Sequence, residues 1–387
     1  MECYLDNAAT TQPLPEVCRL VSEIMSRDYG NPSSLHKKGL EAEHYVREAR
    51  GRIAKTLKCS DKNIIFTSGG TEGNNMALLG GAAANRRRGK HLVTTCFEHA
   101  SVHEPLIYLE QMGYEVSYLP VDSQGHLSPD TLRDALSEDT VLVSVMLVNN
   151  EIGSVLDVQR LAQVVHRYRE DILFHVDAIQ AYGKMKILPG KLGIDLMSVS
   201  GHKIYAPKGI GFLYQADRVK MHALLHGGGQ QYGMRSGTEN VPGIAGIGLA
   251  AEIMDRHLED NRRHLFSLKR YFINGVKEVD GAFVNACGAE DIEETAPHIV
   301  SVSFDNVRSE VLLHALEEEG IYVSSGSACS SNHPGISSTL QAIGVPKDRL
   351  ESTLRFSFSI FTREEQLAYT IEKLKQLVPV LARYTRK

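Results

Sequence analysis

The chain has 387 residues and a formal net charge of −5 at pH 7, from 42 lysine and arginine and 47 aspartate and glutamate side chains. This length exceeds one ordinary hydrophobic core and predicts one large and one smaller domain. A hydrophobic content of 42% and a charged content of 23% are typical of a soluble globular protein. The mildly acidic charge argues against direct nucleic-acid binding.

The start of the chain and the spacing of its cysteines predict a cytoplasmic protein. Residues 1–15, MECYLDNAATTQPLP, lack a basic stretch followed by an apolar run, so we expect neither a secretory nor a transit peptide. No apolar stretch is long enough to cross a bilayer, so we expect no membrane association. The six cysteines include no C-x-x-C pair, which argues against a zinc cage and predicts reduced thiols.

From about residue 36 to residue 215, helical patterns alternate with short apolar strands. Helices are predicted over residues 40–57, 72–87, 101–113 and 158–170, and strands over residues 63–68, 91–95, 115–121, 140–148 and 172–178. Apolar strands that alternate with helices predict a mostly parallel sheet covered on both faces. In such sheets, ligands bind beyond the carboxyl ends of the strands.

After about residue 255 the pattern changes to shorter strands and helices. A long helix is predicted over residues 262–279, and the following segments predict strands over residues 298–304, 321–325 and 353–359. This order predicts a smaller α+β domain. We therefore expect a large domain over residues 15–255 and a small one over residues 1–14 and 256–387.

The turn GGTEGNN follows the first strand of the alternating region. Gly69 and Gly70 permit a tight turn, and Thr71 and Glu72 open a helix whose free N–H groups favour an anion. The turn lacks the Gly-Lys-Ser/Thr ending of a nucleotide P-loop and does not match G-x-G-x-x-G. It indicates a monophosphate site, with an ordinary strand-to-helix turn as the alternative.

His99 lies just past the second strand of this region, at the expected ligand edge. A flat ring there can stack on a ligand and move protons near neutral pH. His99 and His103 also have the i, i+4 spacing of a zinc helix, but HEPLI is not H-E-x-x-H and no third ligand is apparent, so we expect no metal. A surface histidine is the remaining alternative.

Further polar residues follow the later strands. Asn149 and Asn150 offer amide donors, and Asp177 ends an apolar strand, where a carboxylate is costly unless it meets a cation. Lys203 lies in the short polar turn SGHK, where a lowered pKa would make it an amine nucleophile. We interpret Lys184, in contrast, as an ordinary surface lysine.

These features together match the needs of pyridoxal 5'-phosphate. The turn at Gly70 would hold its phosphate, and the ring of His99 would stack on it. Asp177 would keep the pyridinium nitrogen protonated, and Lys203, which lies 26 residues later, would bind the cofactor covalently.

At this point the chain resembles the cysteine desulfurases of the nitrogen-fixation and iron–sulfur-cluster type. These are fold-type I pyridoxal-phosphate enzymes of the class V aminotransferase branch. The resemblance covers nearly the whole chain and implies a mostly parallel, seven-stranded type of sheet between helices, with a smaller α+β C-terminal domain. The motifs that carry it are YLDNAATT, GNPSS, FTSGGTEGNN, VNNEIG, HVDAIQ, SGHKIYAPKGIG, HGGGQQ, RSGTENV, SSGSACSS and LRFSFS.

The resemblance implies roles for the matching residues around the cofactor. Lys203 would bind it covalently and move the substrate Cα proton. His99 would stack on its ring and act as an acid/base group, Asp177 would pair with the pyridinium nitrogen, and Gln180 would hydrogen-bond the ring hydroxyl. The residues expected to hold the phosphate are Gly70, Thr71, Ser200, His202 and, across a dimer interface, Thr238.

The resemblance also implies the substrate, the reaction and the partners. Asn150 and Arg355 would hold the carboxylate of L-cysteine, Arg355 through a two-pronged contact. Cys329, in a loop of small polar residues, would attack the substrate sulfur, yielding L-alanine and a persulfide. Its thiol needs activation, by His99 or by the bound substrate. The role of Thr238 implies a homodimer, and the persulfide implies a sulfur-acceptor protein for iron–sulfur assembly, tRNA thiolation or other sulfur-cofactor synthesis.

Two departures and three alternatives remain. Ser359-Ile360 stands where many relatives have Gly-Arg, and the expected short C-terminal tail leaves the acceptor open. A selenocysteine lyase shares the fold and can use the same cysteine. A class V aminotransferase would need no loop cysteine, and a non-catalytic scaffold would bind no cofactor.

Overall fold

The computed structural model describes residues 1–286, 292–325 and 337–385. Its α-helices are α1 (Pro15–Ser26), α2 (Lys37–Leu57), α3 (Gly70–Asn75), α4 (Gly81–Asn85), α5 (Ala100–Gln111), α6 (Pro129–Ala135), α7 (Val158–Tyr168), α8 (Pro189–Leu192), α9 (Val241–Arg256), α10 (Leu258–Val276), α11 (Ser309–Glu318), α12 (Ser338–Ala342), α13 (Lys347–Leu350) and α14 (Glu364–Thr385). Its strands are β1 (Cys3–Tyr4), β2 (Ile64–Thr67), β3 (His91–Thr95), β4 (Glu115–Leu119), β5 (Thr140–Met146), β6 (Leu173–Asp177), β7 (Leu196–Ser200), β8 (Gly211–Gln215), β9 (Ala282–Asn285), β10 (Ile299–Phe304), β11 (Ile321–Tyr322), β12 (Ser324–Ser325) and β13 (Thr353–Ser357).

A seven-stranded sheet forms the centre of the larger part of the molecule. Its strand order is β2-β8-β7-β6-β5-β3-β4, and only β8 runs antiparallel to its neighbours. Apart from the edge strand β4, the strands are almost wholly buried, as expected for a sheet with helices on both faces. The predicted α/β class with a mostly parallel sheet is confirmed.

The central strands supply side chains to cores on both faces of this sheet. On β5, Val143 packs into a core that also takes buried side chains from α1, α2, α7 and α9. Its neighbour Leu142 packs into a second core, with buried side chains of α5. This period of two fixes the register of the strand, because a slip of one residue would exchange its two faces.

The helix predicted over residues 72–87 contains an irregular turn. A π-helical turn at Met76–Gly80 separates α3 from α4. A Cβ atom on Gly80 would lie 2.5 Å from the carbonyl oxygen of His222, so only glycine permits this close approach.

The smaller part of the molecule contains a four-stranded antiparallel sheet with the order β12-β13-β10-β9. The single strand predicted over residues 321–325 is in fact two strands, because β11 pairs in parallel with β1 while β12 pairs with β13. Buried side chains from α10, α11 and α14 pack in the core of this part, together with Cys3 and Leu5 near the N-terminus.

We propose the domain division into residues 15–255 and residues 1–14 with 256–387. It is supported by the separate core of the smaller part and by the pairing of β1 with β11. Within the described residues, we find no helix that is both long and apolar enough to span a membrane.

Candidate active site

A cavity of about 260 Å³ lies at the carboxyl ends of the parallel strands. This is the sheet edge at which the sequence places the site, because the turns after β2, β3, β5, β6 and β7 converge there. The predicted site residues that line the cavity are Gly70, Thr71, His99, Asn150, Asp177, Gln180, Ser200, His202, Lys203 and Arg355.

Lys203 occupies a short helical turn directly after β7. Its Nζ donates hydrogen bonds to the carbonyl oxygens of Ala8 and Ala9, at 2.6 Å each. Ala8 and Ala9 also line the cavity, so the N-terminal segment forms part of the site. The contacts hold the lysine amine at the cavity, where it can attack a carbonyl carbon.

The surface position predicted for Lys184 is wrong. Its side chain is buried, and its Nζ donates a 2.7 Å hydrogen bond to the carbonyl oxygen of Lys203. Burial, together with the nearby charge of Lys203, lowers the pKa of Lys184 to about 7. Through this hydrogen bond, Lys184 supports the turn that carries Lys203.

Asp177 is the last residue of β6 and is buried at the base of the cavity. Its Oδ1 accepts a hydrogen bond from the backbone N–H of Ile179 at 2.9 Å, and its Oδ2 accepts one from Asn74 Nδ2 at 2.8 Å. Burial raises the pKa of this carboxyl group, and these two hydrogen bonds oppose the shift. A cation brought into the cavity would stabilise the ionised form further.

His99 is the N-cap residue of α5, and its Nδ1 accepts a hydrogen bond from the backbone N–H of Ser101 at 3.0 Å. Burial lowers the pKa of His99, and the positive charges of Lys203 and Arg355 act in the same direction. The negative charge of Asp177 opposes them. A neutral imidazole suits a ring that stacks on an aromatic ligand.

Arg355, in the middle of β13, brings a cation from the smaller part of the molecule into the cavity. Its Nη1 donates to the carbonyl oxygen of Asn150 and its Nη2 to Asp6 Oδ1, at 2.8 Å each. Its Nε is buried and lacks a hydrogen-bond partner among the described residues. This arrangement leaves one edge of the guanidinium group available for an anion such as a carboxylate.

The two neighbouring asparagines after β5 differ in function. Asn149 uses its side chain within the loop, since its Oδ1 accepts from the backbone N–H groups of Glu151 and Ile152, and its Nδ2 donates to Phe97. Asn150 alone of the two lines the cavity. Asn149 therefore shapes the turn that presents Asn150.

Gln180 is held by contacts on both sides of its amide group. Its Nε2 donates to the carbonyl oxygen of Ala8 at 2.9 Å, and its Oε1 lies 3.2 Å from His298 Nε2. An amide nitrogen carries two hydrogens, so one remains available to the cavity.

The turn from β2 into α3 depends on close backbone packing. Gly69 has φ of 154° and ψ of −174°, a conformation that is essentially restricted to glycine. A Cβ atom on Gly211 of β8 would lie 2.8 Å from Gly69 Cα and 2.4 Å from the carbonyl oxygen of Val199. Two glycines thus fix the turn that places Gly70 and Thr71 at the cavity.

Glu98, next to His99, is a buried carboxyl group that the sequence analysis did not single out. Its Oε1 accepts hydrogen bonds from Thr95 Oγ1 at 2.5 Å and from the backbone N–H of Met146 at 3.0 Å. Burial raises the pKa of Glu98 to about 8, so its side chain is mostly neutral at pH 7. It joins β3 to β5 behind the site.

Two predicted residues lie apart from these groups. Thr238 lines a separate small cavity with Arg235 and Gly209, and does not line the cavity of Lys203 in the same chain. Cys329 lies outside the described residues. Within the described part of the chain, no group of three or more histidine, cysteine, aspartate and glutamate side chains could hold a metal ion.

Comparisons with known proteins agree with this geometry. Residues 3–369 match the family described as Aminotransferase class-V. A curated relative from Dictyoglomus turgidum, named cysteine desulfurase IscS, is 42% identical over 381 residues, which are 98% of this chain and 95% of the relative. A solved structure titled "NifS-like protein" is 36% identical with a TM-score of 0.92 and covers 98% of this chain and 100% of its own.

A second solved structure, titled "SspA in complex with cysteine", is 30% identical with a TM-score of 0.80 and covers 93% of this chain and 100% of its own. The chain therefore belongs to the class V aminotransferase family and, within that family, to the cysteine desulfurases. The fold is that of the fold-type I pyridoxal-phosphate enzymes, and the cofactor is pyridoxal 5'-phosphate.

The residues around the cavity fit this cofactor. Hydroxyl and backbone donors of Thr71 and Ser200 lie at one cavity, with the carboxyl group of Asp177 and the amine of Lys203. These are the groups that a phosphate, a pyridinium nitrogen and an aldehyde carbon require. The Nε of Arg355, which has no partner in the part of the chain that the structure describes, matches the carboxylate of an amino acid.

Sequence reasoning missed several residues that line the cavity or support it from behind. These are Ala8, Ala9, Asn74, Glu98, Ser101 and Lys184. Two signals were present: Ala8 and Ala9 lie within the motif YLDNAATT, and Asn74 within GGTEGNN. The motifs alone do not indicate which residues, distant in the sequence, Ala8, Ala9 and Asn74 contact.

Proposed function

We propose that the protein is a cysteine desulfurase that removes the sulfur of L-cysteine, with L-alanine as the product and a persulfide on Cys329. The observation that carries the proposal is the buried guanidinium of Arg355, which lines the same cavity as Lys203 and whose Nε has no hydrogen-bond partner among the described residues. An amino-acid substrate needs both a carboxylate site and an amine that handles its Cα proton. The curated relatives point to cysteine as that amino acid.

The site residues hold the cofactor and the substrate in this proposal. His99 would stack on the pyridine ring, Asp177 would pair with its nitrogen, and Gln180 would donate to its hydroxyl group. Asn150 and Arg355 hold the substrate carboxylate. The phosphate group is held by Gly70, Thr71, Ser200, His202 and the partner subunit's Thr238.

The chain's own residues then carry out the proton and sulfur transfers. The bound cofactor supplies an electron sink for the substrate Cα. The amine of Lys203 takes the Cα proton and returns it. The thiolate of Cys329 attacks the substrate sulfur, and a sulfur–sulfur bond forms as the Cβ–sulfur bond breaks. The electron pair of the broken bond stays on the substrate, and its Cβ takes up a proton. L-Alanine then leaves, and Cys329 keeps the transferred sulfur.

Three features of the cellular setting belong to this proposal. The protein acts as a homodimer, because Thr238 lies away from the cavity of its own chain. It passes sulfur to an acceptor protein in iron–sulfur cluster assembly, tRNA thiolation or other sulfur-cofactor synthesis. It acts in the cytoplasm.

Alanine formation from L-cysteine by the cofactor-loaded protein tests the activity. We expect alanine from the wild type and none above background from Lys203→Ala, with Lys208→Ala, on the surface nearby, as the control that keeps activity. A wild type that turns over selenocysteine but not cysteine would contradict the proposal and favour a selenocysteine lyase. Amino transfer to a keto acid without release of sulfur would favour an aminotransferase.

A further inference from the structure

A chain of hydrogen bonds connects His99 to Asp177 along the wall of the cavity. Asn74 Nδ2 lies 2.8 Å from Asp177 Oδ2 and 2.8 Å from Ser101 Oγ. Ser101 Oγ in turn lies 2.8 Å from His99 Nδ1. The backbone N–H of Ser101 donates to the same nitrogen at 3.0 Å. All four side chains are largely buried, so bulk water does not compete for these contacts.

The direction of each hydrogen bond follows from the chemistry of the groups. The carboxylate of Asp177 only accepts, so the amide of Asn74 must turn its Nδ2 toward it. That nitrogen has two hydrogens, and the second one goes to Ser101 Oγ. Since Ser101 Oγ accepts from Asn74, its own hydrogen remains for His99 Nδ1. The backbone N–H of Ser101 has no alternative role at this position.

Nδ1 of His99 is therefore an acceptor, and the single proton of the neutral ring lies on Nε2. Protonation of Nδ1 is opposed by both donors of Ser101 and by the positive N-terminal end of α5. The charged groups that face the ring from other elements are Asp177, Lys203 and Arg355. Two of the three are cations and further disfavour an imidazolium ion. His99 Nε2 is the nitrogen left for a ligand in the cavity.

We propose that Asn74 and Ser101 are positioning residues that hold His99 as the neutral tautomer protonated at Nε2. This deepens, and rests on, the proposed function. His99 then meets the cofactor and substrate as a stacked ring and a hydrogen-bond donor. It cannot take a proton at Nε2, because that nitrogen already carries one.

Nitrogen NMR of the histidine rings tests this proposal directly. The cofactor-loaded protein is labelled with ring-15N histidine, and the His99 signals are assigned by their loss in His99→Gln. At pH 7 without substrate, we expect the pattern of a neutral ring with a proton on Nε2. A ring protonated on Nδ1, or on both nitrogens, would overturn the proposal. The measurement uses the wild type and does not depend on activity.

A variant then tests the contribution of Ser101. Ser101→Ala removes one of the two donors to Nδ1, so we expect the pKa of His99 to rise by about half to one pH unit. Ser144→Ala is the matched control, because Ser144 Oγ makes a 2.8 Å contact with Nδ1 of another buried histidine, His175. It should leave the His99 signals unchanged. An unchanged titration of His99 in Ser101→Ala would show that Ser101 does not position the ring.

The two proposals fail in different ways. If the protein makes no alanine from L-cysteine while the His99 ring carries its proton on Nε2, the proposed function is wrong and the hydrogen-bond chain remains. If alanine forms and the ring is protonated on Nδ1, the desulfurase assignment stands and the chain through Asn74 and Ser101 does not set the tautomer.

Discussion

At the scale of single residues, burial shifts the pKa values of the ionisable side chains around Lys203 and so sets how far each is charged. Lys184 lies beneath the lysine turn with its pKa lowered to about 7, and Glu98 lies behind His99 with its pKa raised to about 8. In both cases the cause is loss of water around a group that would otherwise be charged. The site thus combines a few necessary charges with supporting groups whose ionised forms are disfavoured by burial.

We expect replacement of Glu98 by glutamine to change the pH dependence of stability. Burial raises the pKa of Glu98 from 4.5 to about 8, so the stability that this group contributes is full below about pH 4.5 and is lost as the pH rises through about 8. Glu98→Gln removes this titration. Its free energy of unfolding, measured in urea, should match that of the wild type near pH 5 and exceed it at pH 8. The difference in this free energy should grow by up to about 1.4 kcal/mol per pH unit.

Glu104→Gln is the control for this experiment. Glu104 is a nearby glutamate on α5, the helix that follows His99, and its side chain is exposed. It should show no such growing difference. Parallel pH profiles for Glu98→Gln and the wild type would contradict a neutral, buried Glu98.

At the scale of elements, the sequence predicted the convergence of the site because most of its polar residues end or closely follow a strand of the parallel region. Asp177 and Lys203 could be placed at one edge without knowing the order of the strands, since parallel strands share their carboxyl edge. The antiparallel direction of β8 could not be predicted in the same way. It depends on the pairing of β8 with both β2 and β7, which are far apart in the chain.

The close packing of β8 against the turn after β2 predicts a cost for any side chain at Gly211. A Cβ atom there would approach Gly69 Cα to 2.8 Å and displace the turn that carries Gly70 and Thr71. We expect Gly211→Ala to weaken binding of pyridoxal phosphate about tenfold or more, as overpacking typically costs about 1–3 kcal/mol. Absorbance titration of the cofactor-free protein measures the affinity.

Gly51→Ala serves as the comparison, because a Cβ atom on Gly51, within α2, would meet no other atom within 4 Å. It should keep the affinity for the cofactor and stabilise the helix by roughly 0.5–1 kcal/mol. Equal affinities in the Gly211→Ala and Gly51→Ala variants would show that the turn tolerates displacement.

At the scale of the whole molecule, the site joins chain segments that are distant in sequence. Arg355 contacts Asp6 and Asn150, and Lys203 contacts Ala8 across 195 positions. The motifs marked most of these residues individually. The contacts between them could not be predicted from local patterns. Contacts between residues so far apart in the sequence depend on the packing of both sheets.

The proposed homodimer predicts complementation between two defective chains. If Thr238 serves the partner's cavity, a mixed dimer of Lys203→Ala and Thr238→Val chains has one intact site. Random mixing of equal amounts should then restore about a quarter of the wild-type site activity at limiting pyridoxal phosphate. Refolded mixtures are compared with each variant alone. Activity equal to the average of the two variants would place Thr238 at its own chain's site.

The central claim is that sulfur leaves L-cysteine and is transferred to Cys329. Mass spectrometry after addition of L-cysteine without reductant measures this most directly, alongside an assay for alanine. We expect one added sulfur atom on Cys329, with alanine released, both lost in Lys203→Ala and both retained in Cys18→Ser, which changes an exposed cysteine elsewhere. Release of alanine and free sulfide with Cys329 unmodified would contradict the claim.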